Sequence, residues 1–217
     1  MKIAVLGGTG RSGTLVVNEA LERGHDVTAI VRNPDKLKEK HYRLKIVKAN
    51  IFDPDSLEPH FQGQDAVLSC LGCGSSLFNL RNITFHTDCA KSIVVALRKA
   101  NVKRYIFMSS WYTKYDSTDP FIINWVVKPL FLRKLLNNMG EMEDFMEEEC
   151  PDIDYTSVRP PELTNKETTG AAVLFHEGRY VPSEKPYGCC RRDAARFMID
   201  TAESGNFKRK CIAITSG

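Results

Sequence analysis

Short apolar runs alternate with amphipathic segments along most of the chain. The apolar runs predict buried β-strands, because strands covered by helices on both faces are apolar throughout. The amphipathic segments between them predict the helices that cover the strands. We predict strands at residues 2–6, 27–31, 44–47, 65–71, 104–108, 154–158 and 210–215.

Two of the intervening segments have the periodicity of an amphipathic helix, at residues 12–23 and 82–100. A third helix is predicted to start near Pro54, with Asp55 or Ser56 as its N-cap. Regular alternation of strands and helices predicts an α/β fold. We expect a Rossmann-type, doubly wound and mostly parallel sheet with helices on both faces.

No internal repeat, low-complexity segment or linker interrupts this pattern, which favours a single domain over residues 1–217. Two stretches fit the alternation poorly: about 111–135, which is aromatic-rich and ends basic, and about 162–192, which is polar. Both follow strand ends, where ligands bind in doubly wound sheets. We interpret both as substrate-side insertions. The alternative for 111–135 is a helix packed on the sheet or on a partner subunit.

Composition and charge exclude several classes of protein. Of 217 residues, 42% are apolar and 26% charged, as in ordinary globular proteins. The net charge of +3 is too small to indicate nucleic-acid binding. No apolar run approaches the ~20 residues that cross a bilayer, and the apolar N-terminus resembles a strand rather than a signal peptide. We expect no membrane span and a small-molecule substrate.

The chain has seven cysteines, an odd number without a visible export signal. This usage indicates reduced thiols, so we expect a cytoplasmic protein. The sequence leaves open whether it is a monomer or a homodimer. Cys70 and Cys73 have the spacing of a metal or redox pair, but no second pair accompanies them, and the five histidines are scattered. We therefore predict no metal site.

A glycine-rich loop links the first predicted strand to the first predicted helix, with the sequence Gly7-Gly8-Thr9-Gly10-Arg11-Ser12-Gly13. Gly8, Gly10 and Gly13 have the spacing of the dinucleotide-binding fingerprint. Gly7, Gly10 and Gly13 give the variant with a spacing of three. Glycines allow a tight turn and the close approach of a pyrophosphate, which backbone N–H groups and the helix dipole then bind. Strand, loop and helix in this order predict a dinucleotide site rather than a turn without a ligand.

The end of the second predicted strand bears on which dinucleotide binds. NAD-selective folds place an acidic residue there to bind the ribose hydroxyls, whereas this chain has Arg32 followed by Asn33. Lys36 lies one turn further on, and Arg11 lies in the glycine loop itself. A guanidinium can bind a 2′-phosphate through two hydrogen bonds. We therefore expect NADP(H); the alternative for Arg32 is a solvated surface charge.

The ends of the third and fourth predicted strands supply further candidate contacts. Asn50 and Ile51 end the third strand near the expected position of the adenine, on which Ile51 could pack. Leu71 and Gly72 end the fourth strand, where the chain usually passes the ribose and phosphates of the cofactor.

These motifs resemble the atypical short-chain dehydrogenase family with NmrA-like members, close to the biliverdin-IXβ reductase/flavin reductase (NADPH) group. The resemblance covers nearly the whole chain and is strongest at residues 2–13, 27–33, 64–72, 93–110 and 155–161. It implies an NADPH-dependent reductase of flavins, quinones or tetrapyrroles, with FMN or FAD among the candidate substrates. It also implies that the cofactor contacts Thr9, Gly10, Arg11, Ser12 and Arg32.

The resemblance also assigns the nicotinamide end of the site. Ser109 and Ser110 match the Thr-Ser pair of the family after its fifth strand, which implies that Ser110 lies beside the nicotinamide. Pro160 belongs to the matching Arg-Pro-Pro motif. Where the reductase group has histidine after Pro-Pro, this chain has Glu162, which implies a different substrate or chemistry.

The acid–base motif of ordinary short-chain dehydrogenases is missing. Those enzymes use Tyr-x-x-x-Lys, whereas Tyr112 is followed four positions later by Asp116. Such an enzyme must work mainly by holding the nicotinamide against an electron-poor acceptor, and flavins and quinones suit this. Candidate catalytic residues are Ser110, Tyr112 and Glu162; the alternatives are a packed aromatic for Tyr112 and a solvated side chain for Glu162.

The leading prediction is therefore an NADPH-dependent oxidoreductase acting on a flavin, quinone or related conjugated acceptor. A rival is a non-catalytic, NADP(H)-sensing regulator, for which NmrA-like proteins offer a precedent and which the missing motif permits. A third interpretation takes residues 122–133, basic and apolar, as a helix that binds a partner or a membrane surface.

Overall fold

The computed structural model describes residues 1–72, 84–114, 133–168, 170–182 and 188–216. Five α-helices and ten strands follow one another along these residues. The strands are β1 (Lys2–Leu6), β2 (Asp26–Val31), β3 (Leu44–Lys48), β4 (Ala66–Ser69), β5 (Arg104–Met108), β6 (Asp154–Arg159), β7 (Glu162–Thr164), β8 (Leu174–Glu177), β9 (Gly188–Cys190) and β10 (Lys210–Thr215). The helices are α1 (Arg11–Glu22), α2 (Pro54–Phe61), α3 (Phe85–Lys99), α4 (Arg133–Glu149) and α5 (Arg191–Ser204).

The main sheet has eight strands in the order β3-β2-β1-β4-β5-β6-β10-β8. All neighbours pair in parallel except β8, which runs antiparallel to β10. From β1 the strand order proceeds outward in both directions, so a topological switch point lies between β1 and β4. The prediction of a doubly wound, mostly parallel sheet is therefore confirmed.

Helices cover both faces of the sheet. Successive residues of a strand point to opposite faces, so each strand contributes to two apolar clusters. Ile3 and Val5 of β1 belong to the cluster that contains the buried faces of α1 and α5. Ala4 and Leu6 belong to the cluster that contains the buried faces of α2, α3 and α4. The strands are thus apolar on both faces, which is the pattern from which they were predicted.

Some predicted boundaries were wrong. The fourth strand ends at Ser69 rather than at residue 71, so Leu71 and Gly72 lie beyond it. Helix α2 is capped by Asp53, whose side chain accepts the N–H of Asp55, and not by Asp55 or Ser56. Asp53 has this role because Pro54 fixes the first helical position, so the cap lies two or three residues earlier than expected.

The predicted insertion at 162–192 forms three strands along its described residues. Its residues 174–177 form β8 and extend the main sheet beyond β10. Its two ends pair with each other in a separate two-stranded sheet, β7 with β9. In the other predicted insertion, 111–135, residues 115–132 lie outside the described residues, and residues 133–135 begin α4. The helix proposed for residues 122–133 therefore falls almost entirely outside the described part of the chain.

Candidate functional site

The glycine loop passes so close to neighbouring backbone that Gly7 and Gly13 have no room for a Cβ, and Gly10 has only a tight fit for one. A Cβ on Gly13 would lie 2.1 Å from the carbonyl oxygen of Gly7, and one on Gly10 would lie 3.3 Å from the same atom. Gly7 has a φ of +79°, and its Cβ would lie 2.7 Å from the carbonyl oxygen of Cys70. At Gly8 the nearest atom, Val17 Cγ2, is 3.4 Å away, an ordinary contact. Of the two spacings in the sequence, the structure therefore requires the variant formed by Gly7, Gly10 and Gly13.

The N-terminus of α1 is open for an anion. Its N-cap, Gly10, has no side chain to accept a hydrogen bond, and no acidic residue stands in the first turn. The loop is closed internally by Gly10 N–H, which donates to Gly7 O at 2.9 Å, and by Thr14 Oγ1, which donates to Gly8 O at 2.9 Å. The first N–H groups of a helix have no partner within it and carry the positive end of its dipole. This terminus can therefore bind a pyrophosphate.

A cleft of about 290 Å³ opens at the carboxyl ends of β1, β2, β3 and β4, beside the topological switch point. It brings together eight of the predicted cofactor-binding residues, which are Gly7, Thr9, Gly10, Arg32, Asn50, Ile51, Leu71 and Gly72. These residues come from the four turns that follow β1, β2, β3 and β4. They lie close together because these parallel strands are neighbours in the sheet and end at the same edge. The cleft therefore lies where doubly wound folds bind ligands.

The cations predicted to bind a 2′-phosphate are exposed near the cleft. Arg32 lines the cleft, follows β2 directly and forms no ion pair with any described residue. Lys36 ends a short 3₁₀ turn, Pro34–Lys36, and Arg11 begins α1; both are exposed and neither lines the cleft. Asn33 caps the 3₁₀ turn, since its side-chain oxygen accepts the N–H of Asp35 at 3.1 Å. The side-chain oxygen of Asn33 is therefore engaged in this cap, which was not predicted from the sequence.

Two aromatic residues of the cleft were not predicted. Phe52, which is 51% exposed, and Phe85, the first residue of α3, line it together. Their rings meet edge to face with centroids 5.9 Å apart. Phe52 follows Ile51 in the same turn, so the argument that placed Ile51 near the adenine could have included it. Phe85 falls in the segment 82–100, which was predicted only as an amphipathic helix, and the structure places it in the cleft.

The remaining predicted cofactor residues lie around the cleft rather than in its lining. Ser12 and Gly13 belong to the first turn of α1. Ser109 and Pro160 follow β5 and β6, on the other side of the switch point. Because Ser69 of β4 lies opposite Phe107 of β5, the chain leaves these two strands at neighbouring positions of the sheet edge.

The candidate catalytic residues Ser110 and Tyr112 lie in one segment beyond β5, and Glu162 lies apart from them. The half-buried Ser110 precedes Trp111, which is 1% exposed and donates its backbone N–H to Pro160 O at 3.0 Å. Tyr112 has a φ of +59° and stacks on Tyr180 with ring centroids 6.1 Å apart. Glu162 is exposed at the start of β7. Ser110 and Tyr112 are thus neighbours in sequence, and none of the three candidate catalytic residues lines the cleft.

The Cys70 thiol lines the cleft without being activated. Burial raises its pKa to about 12, so the thiol is protonated at neutral pH. Its Sγ lies 3.9 Å from the sulfur of Met198. Cys73, the other half of the pair seen in the sequence, lies outside the described residues. Among the described residues, no cluster of His, Cys, Asp and Glu could hold a metal ion.

The described part of the chain contains no helix that is both long enough and apolar enough to span a membrane. Its six cysteines are all free thiols, and four of them are buried.

Comparisons with known proteins agree with this geometry. The sequence model of a family described as NAD(P)H-binding matches residues 7–204. A photosystem II assembly factor, Ycf39 of Synechocystis, is 30% identical over 111 residues, which are 50% of this chain and 33% of that protein. The chloroplastic divinyl chlorophyllide a 8-vinyl-reductase of Arabidopsis thaliana is 26% identical over 176 residues, 74% of this chain and 39% of that protein. The matches thus span about a third of the length of these two curated relatives.

The fold also recurs among solved structures. A candidate NADH-flavin reductase from Streptococcus pneumoniae superposes with a TM-score of 0.80 over the full length of both chains, at 24% sequence identity. At this identity the likeness establishes the shared Rossmann-like architecture.

Proposed function

Because the chain belongs to the NAD(P)H-binding family, we propose that it is an NADPH-dependent oxidoreductase that reduces a flavin, a quinone or a related conjugated acceptor. One observation carries the proposal: the uncapped N-terminus of α1 and the exposed Arg32 lie on the same cleft. The first can bind a pyrophosphate and the second a phosphate beyond it. NADPH has both groups, and NADH has only the first.

The residues present fit this cofactor. Gly7 and Gly13 let the loop pack tightly against backbone, where a Cβ would clash, and the free N–H groups at the start of α1 would bind the pyrophosphate. Asn50, Ile51 and Phe52 offer polar and apolar surface for an adenosine. Arg32, assisted by Lys36 and Arg11, would hold the 2′-phosphate. The bound cofactor would supply a hydride, and one proton taken up from water would complete the two-electron reduction of a flavin or quinone.

This chain's own contribution to the reaction is mainly orientation. Ser110 would hold the nicotinamide amide or the acceptor, and Tyr112 with Tyr180 offers aromatic surface on which a planar acceptor can stack. Neither Tyr112 nor any other tyrosine in this segment has a lysine at the spacing that lowers a tyrosine pKa in ordinary short-chain dehydrogenases. Acceptors that can take a hydride without a proton donor positioned beside them therefore suit this site. Holding the acceptor close to the nicotinamide would then supply much of the rate acceleration.

A second candidate function is an NADP(H)-sensing regulator without catalysis. Two observations favour it: the missing Tyr-x-x-x-Lys motif, and a relative named as an assembly factor rather than as an enzyme. Such a protein would bind NADPH in the same cleft and change its affinity for a partner.

Turnover of NADPH with FMN or a quinone separates the two functions. The proposed enzyme oxidises NADPH, followed by absorbance at 340 nm, only when an acceptor is present. Arg32→Ala raises KM for NADPH about tenfold and leaves kcat unchanged, because it removes a charge-assisted contact distant from the nicotinamide. Lys40→Ala, which removes an exposed charge outside the cleft, is the matched control. Tight binding of NADPH without turnover of any acceptor would favour the regulator.

A further inference from the structure

A buried ion pair lies next to the carboxyl ends of β5 and β6. Glu143 of α4 is 1% exposed, and Arg159, the last residue of β6, is 6% exposed. Arg159 donates from Nε to Glu143 Oε1 and from Nη2 to Glu143 Oε2, each at 2.8 Å. This two-point contact fixes the relative orientation of the two side chains.

Two hydroxyl groups complete the carboxylate's hydrogen bonding. Thr113 Oγ1 donates to Glu143 Oε2 at 2.8 Å, and Ser157 Oγ donates to Glu143 Oε1 at 2.6 Å. Ser157 lies within β6, so its bond joins α4 to the sheet. Thr113 lies beyond β5, so its bond joins α4 to the segment that contains Ser110 and Tyr112.

The third guanidinium nitrogen of Arg159 binds a second segment, residues 178–181. Its Nη1 donates to the carbonyl oxygen of Gly178 at 3.0 Å. Residues 178–181 supply Tyr180, which stacks on Tyr112, and Val181, which packs with Trp111. The ion pair therefore connects to both segments that meet at the predicted nicotinamide end of the site.

The position of this pair suggests a role other than stability. A buried ion pair often contributes little net stability compared with apolar residues of the same size, because both charges lose their hydration. Such a pair does fix the relative positions of the segments that it joins. Here one of those segments has an unfavourable backbone conformation. Tyr112 has a left-handed φ of +59°, which a residue with a side chain keeps only when its surroundings hold it. On the other side, a Cβ on Gly140 of α4 would lie 2.9 Å from Thr113 O, so helix and segment are in close contact.

We propose that the Glu143–Arg159 pair positions the nicotinamide end of the site. Through Thr113 it holds the segment 109–113, and through Gly178 it holds the segment 178–181. Glu143, Arg159 and Thr113 are thus positioning residues, which act on Ser110 and Tyr112 without touching cofactor or acceptor. The inference rests on the proposed function, because it assumes that Ser110 and Tyr112 face the nicotinamide and the acceptor.

Two variants test this role with matched chemistry. Thr113→Val and Ser157→Ala each remove one hydroxyl donor from the same carboxylate and leave Arg159 paired with it. We expect both to lower Tm by a similar amount, since each loses one buried hydrogen bond. Only Thr113→Val lowers kcat, about tenfold, because small displacements at a reacting centre cost rate. The affinity for 2′,5′-ADP, which reports on the adenosine half alone, stays unchanged, and Thr113→Ser restores kcat.

Fluorescence gives a readout that does not need activity. The chain has two tryptophans, so a Trp125→Phe background leaves Trp111 as the reporter. We expect Thr113→Val to shift Trp111 emission to longer wavelength and to increase its quenching by acrylamide, and Ser157→Ala to change neither. Equal effects of the two variants on kcat and fluorescence, or no effect of Thr113→Val, would overturn the inference. A wild-type protein that binds no NADPH would instead overturn the proposed function, and the fluorescence comparison would still decide whether Thr113 holds the segment.

Discussion

The four glycines of the loop differ in what a side chain would meet, and this difference can be measured. The sequence allowed two fingerprints, because Gly7 and Gly8 are adjacent and both precede Gly10 and Gly13. Spacing alone could not choose between them. Gly13 is needed because a Cβ there would meet the backbone carbonyl of Gly7, a clash that no side-chain rearrangement can relieve.

Replacing Gly13 by alanine should therefore be far more costly than replacing Gly8. We expect Gly13→Ala to lower the free energy of unfolding by at least roughly 2–3 kcal/mol, because backbone must move to admit the methyl group. Gly8→Ala should cost less than about 1 kcal/mol, since its Cβ would make an ordinary contact with Val17. Urea unfolding of both variants measures this difference. Equal losses at the two positions would mean that the loop does not have the described geometry.

At the scale of elements, the contact between α3 and α4 contains a buried histidine. His86, in the first turn of α3, is 3% exposed, and neither ring nitrogen has a hydrogen-bond partner among the described residues. Its backbone N–H donates to Asn138 Oδ1 of α4 at 2.8 Å. Burial lowers the pKa of His86 to about 4, so its ring is neutral at neutral pH.

This histidine should make the protein less stable in mild acid. The unfolded chain takes up the proton below its ordinary pKa of 6.5, whereas the folded chain resists until about 4. The contribution of the neutral His86 ring to the free energy of unfolding is therefore fully present above pH 6.5. It is lost as the pH falls from 6.5 to 4. The loss amounts to roughly 3 kcal/mol at most.

Urea unfolding between pH 7 and pH 4 tests this contribution. His86→Leu should flatten the decline in the free energy of unfolding over that interval. The control is His176→Gln on β8, because that ring is exposed in the folded protein. If His86→Leu and the wild type lose stability with the same slope, the ring is not buried in its neutral form.

Elements with a local signal could be predicted from the sequence, and those that depend on distant pairing could not. The strands β1, β5 and β10 were predicted with their observed bounds because their apolar runs are continuous. Strand β8 has four exposed residues and no such pattern; it exists because β10 offers it an edge. Helix α5 did carry a signal, since its buried Ala194, Met198 and Ala202 recur every four residues, and sequence reasoning missed it.

The residues of the candidate site also differ in whether a local sequence pattern reveals them. The residues of the cleft that follow strands could be predicted, because parallel strands bring their carboxyl ends to one edge. Phe85 could not, since its place depends on how α3 begins after a connection that no motif describes. The ion pair of Glu143 with Arg159 could not either, because nothing in the sequence links residues on α4 and β6 that are sixteen positions apart.

At the scale of the whole molecule, one sheet edge organises the functional prediction. Under the proposed function, the adenosine half of the cofactor would bind at the ends of β1 to β4, where the described cleft lies. The nicotinamide and acceptor would then bind at the ends of β5 and β6, beside Ser110 and Tyr112. The switch point between β1 and β4 is where the two halves meet, and the uncapped α1 lies there.

Calorimetric titration of the wild-type protein with NADPH and with NADH tests this account most directly. We predict a single site that binds NADPH at least about tenfold more tightly than NADH, because only NADPH offers Arg32 a phosphate. 2′,5′-ADP should compete for the same site. If neither dinucleotide produces heat, the cleft is not a cofactor site; if NADH binds as tightly as NADPH, Arg32 does not select the cofactor.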